Sequence, residues 1–108
     1  EDTLYQHTRS FILSHHNPYY YQGTCASGIG SPHTPKNYIW HIALSMQGLT
    51  GTKEEAKKMI NLILETSNNE GLCHEGFNKD EPSEYTRSWF AWANSLFAEL
   101  VYQTYFVK

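Results

Sequence analysis

At 108 residues the chain has the length of one small domain or of part of a larger one, and eleven acidic against eight basic residues give a formal net charge of −3. The bases are scattered along the chain, which argues against nucleic acid as a partner. The longest apolar runs, Ile39 to Leu44 with His41 inside it and Ile60 to Leu64, are far too short to span a membrane.

The first residues, from Asp2 to about Ser14, carry Leu4, Tyr5, Phe11 and Ile12 at helical spacing, and Asn17-Pro18 closes the run. Tyr19-Tyr20-Tyr21-Gln22 has strand chemistry, and Gly23-Thr24 can turn it back toward Cys25 and Ala26 as a short β-hairpin. From Ser27 to Asn37 the density of Gly, Pro and Ser predicts an ordered loop without regular structure. Ile39, Ile42, Ala43 and Met46 then mark a second helix over about Tyr38 to Gln47, ended by Gly48 and Gly51.

Thr52-Lys53-Glu54-Glu55 has the order of a capping box, so a third helix starts there with Ala56, Met59, Ile60 and Ile63 on one face. Ser67 to Gly71 reads as a turn, and Leu72 to Phe77 as an extended connection. The longest helix is predicted over Arg87 to Tyr105, with Trp89, Phe90, Ala93, Leu96, Phe97, Leu100 and Val101 as a broad apolar stripe. The expectation is an all-α fold of helical hairpins with one short β-hairpin. Cys25 and Cys73 form no disulfide framework and read as two thiols rather than a bridge.

Chemistry concentrates in one stretch. Leu72 to Pro82 and Tyr85 to Asn94 bring together carboxylates, an imidazole, a guanidinium and aromatic rings. A sugar-cleaving pocket needs these parts: a carboxylate to activate water, polar forks for hydroxyls, and flat apolar faces for the ring. There is no His-Glu-x-x-His, Gly-x-Ser-x-Gly or phosphate-binding loop, and His15-His16 and Cys73-His74 are adjacent pairs that converge poorly on a metal.

Ser31-Pro32-His33-Thr34, Tyr38-Ile39-Trp40, Ser45 to Thr50, His74-Glu75-Gly76-Phe77 and Tyr85 to Asn94, taken in order, resemble the C-terminal part of glycoside hydrolase family 125. The resemblance runs from about Asn17 to Leu100. It implies part of an (α/α)6 barrel and an exo-acting α-mannosidase that removes terminal α-1,6-linked mannose with inversion, without a metal or other cofactor. The partner would then be a mannose-containing glycan, with neither nucleic acid nor membrane. In that family a Glu is the general base and an Asp the general acid. The Glu falls on Glu75; the Asp belongs to an earlier part of the family's chain, and nothing here matches it. Asn78 is a smaller departure, at a position where many relatives carry His.

The chain, residues 1–108, is therefore expected to be the C-terminal portion of a catalytic domain whose N-terminal part is missing. The absence of an initiator Met and a helix that starts at once point the same way. Localisation is undetermined, with the cytoplasm favoured.

Around Glu75 the resemblance suggests substrate contacts at His33, Arg87, Trp40 and His74. Each has a plainer reading. Glu75 could be a surface residue on a turn, His33 a structural imidazole bonded to backbone, Arg87 a partner for Glu84, and the Trp residues core. If Leu72 to Phe77 is extended, alternation points His74 away from Glu75. Asp80 and Glu81 are candidates for the missing acid, or residues of a solvated turn in which Asp80 or Ser83 caps the next element. The alternative function is a carbohydrate-binding or packing piece without catalysis.

Overall fold

A computed structural model describes residues 2–67 and 73–107. The elements in chain order are α1 (Asp2–Ile12), β1 (Tyr20–Gln22), β2 (Ser27–Ile29), β3 (Tyr38–Trp40), α2 (His41–Leu49), α3 (Lys53–Thr66), β4 (Gly76–Asn78), β5 (Tyr85–Thr86) and α4 (Ala91–Tyr105). The all-α expectation is thus corrected to four helices and two small antiparallel sheets: β1 with β2, and β3, β4 and β5 in that order.

Short strands replace predicted helix or loop where distant residues pair. Tyr38–Trp40, expected as the first turn of α2, is extended because it registers against Asn78–Gly76 of β4. Ile39, placed on the helical stripe by its spacing, is instead the inward residue of a strand and is fully buried. The hairpin returns at Ser27, later than Cys25-Ala26, because the amides of Cys25 and Ala26 donate to the Lys79 carbonyl instead of to β1. Ser27–Ile29 is consequently strand rather than loop.

α3 begins as its sequence dictates. The Thr52 hydroxyl accepts from the Glu55 amide at 3.1 Å, closing half of the capping box. The other half is absent, since the Glu55 carboxylate turns to Arg9 of α1 at 3.0 Å and to Gln47 at 2.9 Å. Ala56, Met59, Ile60 and Ile63 are buried as predicted, and with Leu44, Ala93 and Leu100 they form the contact among α2, α3 and α4. Gly48 lets the helices approach: a Cβ there would lie 2.9 Å from Leu100 Cδ1.

α4 starts at Ala91 instead of Arg87, because Arg87 has φ 55° and Phe90 is extended. Trp89, expected between helices, is 56% exposed, whereas Phe90 packs against the core. The expected turn over 67–71 falls largely outside the described residues. Among the described residues no helix is long and apolar enough to cross a membrane.

Candidate active site

The three-stranded sheet has an inner and an outer row. Ile39, Phe77 and Tyr85 lie opposite one another on the inner row, and Trp40, Gly76 and Thr86 on the outer. Phe77 and Ile39 are fully buried. Gly76 keeps the outer row close: a Cβ there would stand 3.3 Å from Thr34 Cγ2, 3.4 Å from Thr86 Oγ1 and 3.5 Å from Trp40 Cδ1. The Ser31–Thr34 turn therefore sits beside the residue that follows Glu75. It is tied by the Thr34 amide and hydroxyl, both donating to the Ser31 carbonyl at 3.3 Å.

Glu75 stands at the edge of this sheet, where the chain bends. Its amide donates to the Thr86 carbonyl at 3.1 Å, and its carboxylate meets Arg87 Nε at 3.3 Å. The Glu75 side chain is largely enclosed and that of Arg87 mostly exposed, so the pair contributes little to stability, about 0–1 kcal/mol. Its worth is orientation. Arg87 also lies with its guanidinium carbon 5.6 Å from the centre of the Phe90 ring. Glu84, the alternative partner for Arg87, instead accepts from Asn78 at 3.4 Å.

The other predicted residues fall into two groups. Trp40 is half-buried on the outer row, and its Nε1–H is enclosed with no acceptor among the described residues. It also borders an apolar groove of about 400 Å³ between α1 and α2. The His33 imidazole is exposed, and its amide is fixed by Ser31 Oγ at 3.1 Å. These two residues belong to the outer row and to the turn seated on it, and Glu75 and Arg87 to the edge of the sheet next to it.

His74 does not. It is fully buried, stacked on Tyr85 at 3.8 Å between ring centres with 2° between planes. His74 and Phe77 both face inward against His41. Strict alternation is broken at the bend, and Glu75 alone turns to the rim.

Sequence reasoning passed over the residues that hold this bend. His41 opens α2; its Nδ1 accepts from the His74 amide at 2.8 Å, so its proton sits on Nε2 and is given to Thr66 Oγ1 at 2.8 Å. Thr66 passes the chain on to the Leu62 carbonyl. Burial, reinforced by the neighbouring His74, pushes the His41 imidazole down to about 3, so it is neutral. Asn94 is the second: its Oδ1 accepts from the Cys73 amide at 3.1 Å and its Nδ2 donates to the Phe90 carbonyl at 2.9 Å. The visible signal for His41 was a lone imidazole inside an apolar run.

Asp80 has structural work. Its carboxylate accepts from the Thr24 amide at 2.7 Å and from Lys79 at 2.8 Å, and these contacts, Lys79 foremost, hold it below the usual carboxylate range. Among the described residues no three His, Cys, Asp or Glu side chains cluster as metal ligands do.

A rim carboxylate braced by a guanidinium, one residue before a glycine that packs against an indole and against the turn carrying an exposed imidazole, is the partial constellation of a carbohydrate-active site. The comparisons give that class a family. A family model described as metal-independent α-mannosidase, GH125, matches residues 1–102, and the chain belongs to that family. It is 40% identical over 103 residues to the meiotically up-regulated gene 157 protein of Schizosaccharomyces pombe, covering 94% of this chain and 20% of that protein. It also superposes with a TM-score of 0.90, at 50% identity, on a metal-independent α-mannosidase from Streptococcus pneumoniae solved in a non-productive complex with α-1,6-mannobiose. That match covers 93% of this chain and 24% of the other. The chain thus spans about a fifth to a quarter of these relatives' length.

Proposed function

We propose that this chain is the C-terminal portion of an exo-acting α-mannosidase domain, and that Glu75 is its general base. The observation that carries the reading is the Glu75–Arg87 pair at 3.3 Å on the rim of the sheet, with Trp40 and the turn of His33 packed around the adjoining Gly76. In this reading Glu75 holds a water beneath the anomeric carbon of a terminal mannose and takes its proton as the water attacks. Arg87 keeps the carboxylate aimed, and Trp40 and His33 receive the ring and its hydroxyls.

The general acid is an Asp in the rest of the domain, roughly 6.5–9.5 Å from Glu75, a separation that leaves room for water and gives inversion. The whole domain is an (α/α)6 barrel to which the four helices here contribute. Family membership supports α-mannoside cleavage, and the α-1,6-mannobiose held by the pneumococcal relative supports that linkage. In the complete protein, Glu75→Gln should abolish release of mannose from α-1,6-mannobiose while largely sparing binding, and NMR of the first product should show the β-anomer. Retained turnover in Glu75→Gln would refute the role of Glu75, and an α-anomer would refute inversion. The 108 residues alone, lacking the acid, should release no mannose.

A further inference from the structure

The register of β4 and β5 pairs Gly76 with Thr86, and beyond that pair the Glu75 amide, one residue out of register, donates to the Thr86 carbonyl, so the ladder stops there. Past its end the backbone groups find other partners. The His74 amide goes to His41 Nδ1 at 2.8 Å, and the His74 imidazole holds the Ser88 carbonyl, Nδ1 to Ser88 O at 3.1 Å. Nδ1 therefore carries the proton. The segment is pinned on both sides of this contact, by the Glu75 amide on Thr86 O at 3.1 Å and the Phe90 amide on Cys73 O at 3.0 Å. Between Thr86 and Ser88 lies Arg87 at φ 55°, a left-handed conformation that costs a non-glycine residue energy and persists only when its neighbours fix it.

Resting on the proposed role of Glu75, we infer that His74 is a positioning residue: by holding the Ser88 carbonyl with its side chain, it keeps Arg87 in the left-handed turn that brings the guanidinium to Glu75. His41 fixes the backbone of His74 by accepting its amide. His74 touches neither substrate nor reacting atoms, and its effect passes through Arg87.

The test uses the complete protein and hydrolysis of α-1,6-mannobiose. His74→Phe keeps a flat ring against Tyr85 and removes the donor; His74→Asn restores a donor near the position of Nδ1; His74→Gln places its amide where Nε2 was. His74→Phe and His74→Gln should lower kcat by about tenfold or more with KM changed by less than about twofold, and His74→Asn should recover most of the loss. In an Arg87→Ala background, His74→Phe should cost no further kcat. Equal kcat in the Asn and Gln variants, or an undiminished effect of His74→Phe without Arg87, overturns the inference. If His74→Phe does not fold, the comparison of Asn with Gln decides alone. Activity surviving in Glu75→Gln would instead strike the underlying reading, a separate result from either of these.

Discussion

α3 and α4 begin in opposite ways. Thr52 caps α3 with its own hydroxyl, and Glu54 and Glu55 fill the first turn, where the helix dipole favours acids. Phe90 precedes α4 with no side-chain cap, and no acid occupies its first turn. The first turn of α4 is given over to something else: Asn94 reaches back from inside the helix to grip Phe90 and Cys73, and the Phe90 amide is given to Cys73. One helix start serves its own helix. The other fastens the strand that carries Glu75, and its stability is inseparable from the shape of the site.

Substitutions and a titration test this contrast. The largest effect belongs to the rim: Glu75→Gln in the complete protein should abolish turnover, a loss of at least about 10²–10⁴-fold in kcat, with an unchanged thermal midpoint. A shifted midpoint would mean that Glu75 is part of the fastening rather than the residue being fastened. Phe77→Ala, on the inner face of the same strand, should cost about 3–5 kcal/mol in chemical denaturation, because a fully buried ring is removed from the core. A loss under about 1 kcal/mol would show that β4 is not anchored from within.

The third test is pH. His41 is pushed down to about 3 from 6.5, so the unfolded chain binds this proton first. Its contribution is complete above about pH 6.5 and is lost as the pH falls, until it is gone near pH 3. Between pH 6.5 and 5, mostly above the carboxylate range, stability should fall by about 1 kcal/mol per unit on this account. His41→Gln should remove that slope, and an unaltered slope would contradict a neutral, enclosed His41.

The smallest pair of effects draws the contrast most finely. Thr52→Ala should cost about 0.5–2 kcal/mol of stability and leave kcat of the folded enzyme alone. Asn94→Ala should cost about 1–3 kcal/mol, since it strips partners from the Cys73 and Phe90 backbone, and should lower kcat as well. If both variants changed only stability, the two helix starts would be equivalent after all.

The same contrast explains how far the residues could be read. The cap, register and inner face of α3 were legible because each depends on side chains within one or two turns of one another. The Glu75 and Arg87 motifs could be picked out, yet their contact depends on a bend at Glu75 and a left-handed Arg87 that no local pattern announces. β3 was hidden because Ile39 fits a helical stripe and a strand equally well, and only pairing with Phe77 across the sheet decides between them. His74 was legible as part of a motif, but its placement was not: the bend at Glu75 breaks the alternation and leaves His74 inward, and its stacking and hydrogen bonds with Tyr85, Ser88 and His41 keep it there.

Cys73, whose backbone the α4 start grips, also carries a buried thiol that burial pushes up to about 11, whereas Cys25 is exposed. An alkylating reagent at neutral pH meets one accessible sulfur and one that is both hidden and protonated. Cys25 should be modified at once, and Cys73 only in those moments when β4 parts from α4. The slow phase of labelling then becomes a clock for spontaneous opening of the wall behind Glu75, readable by mass alone and independent of any substrate.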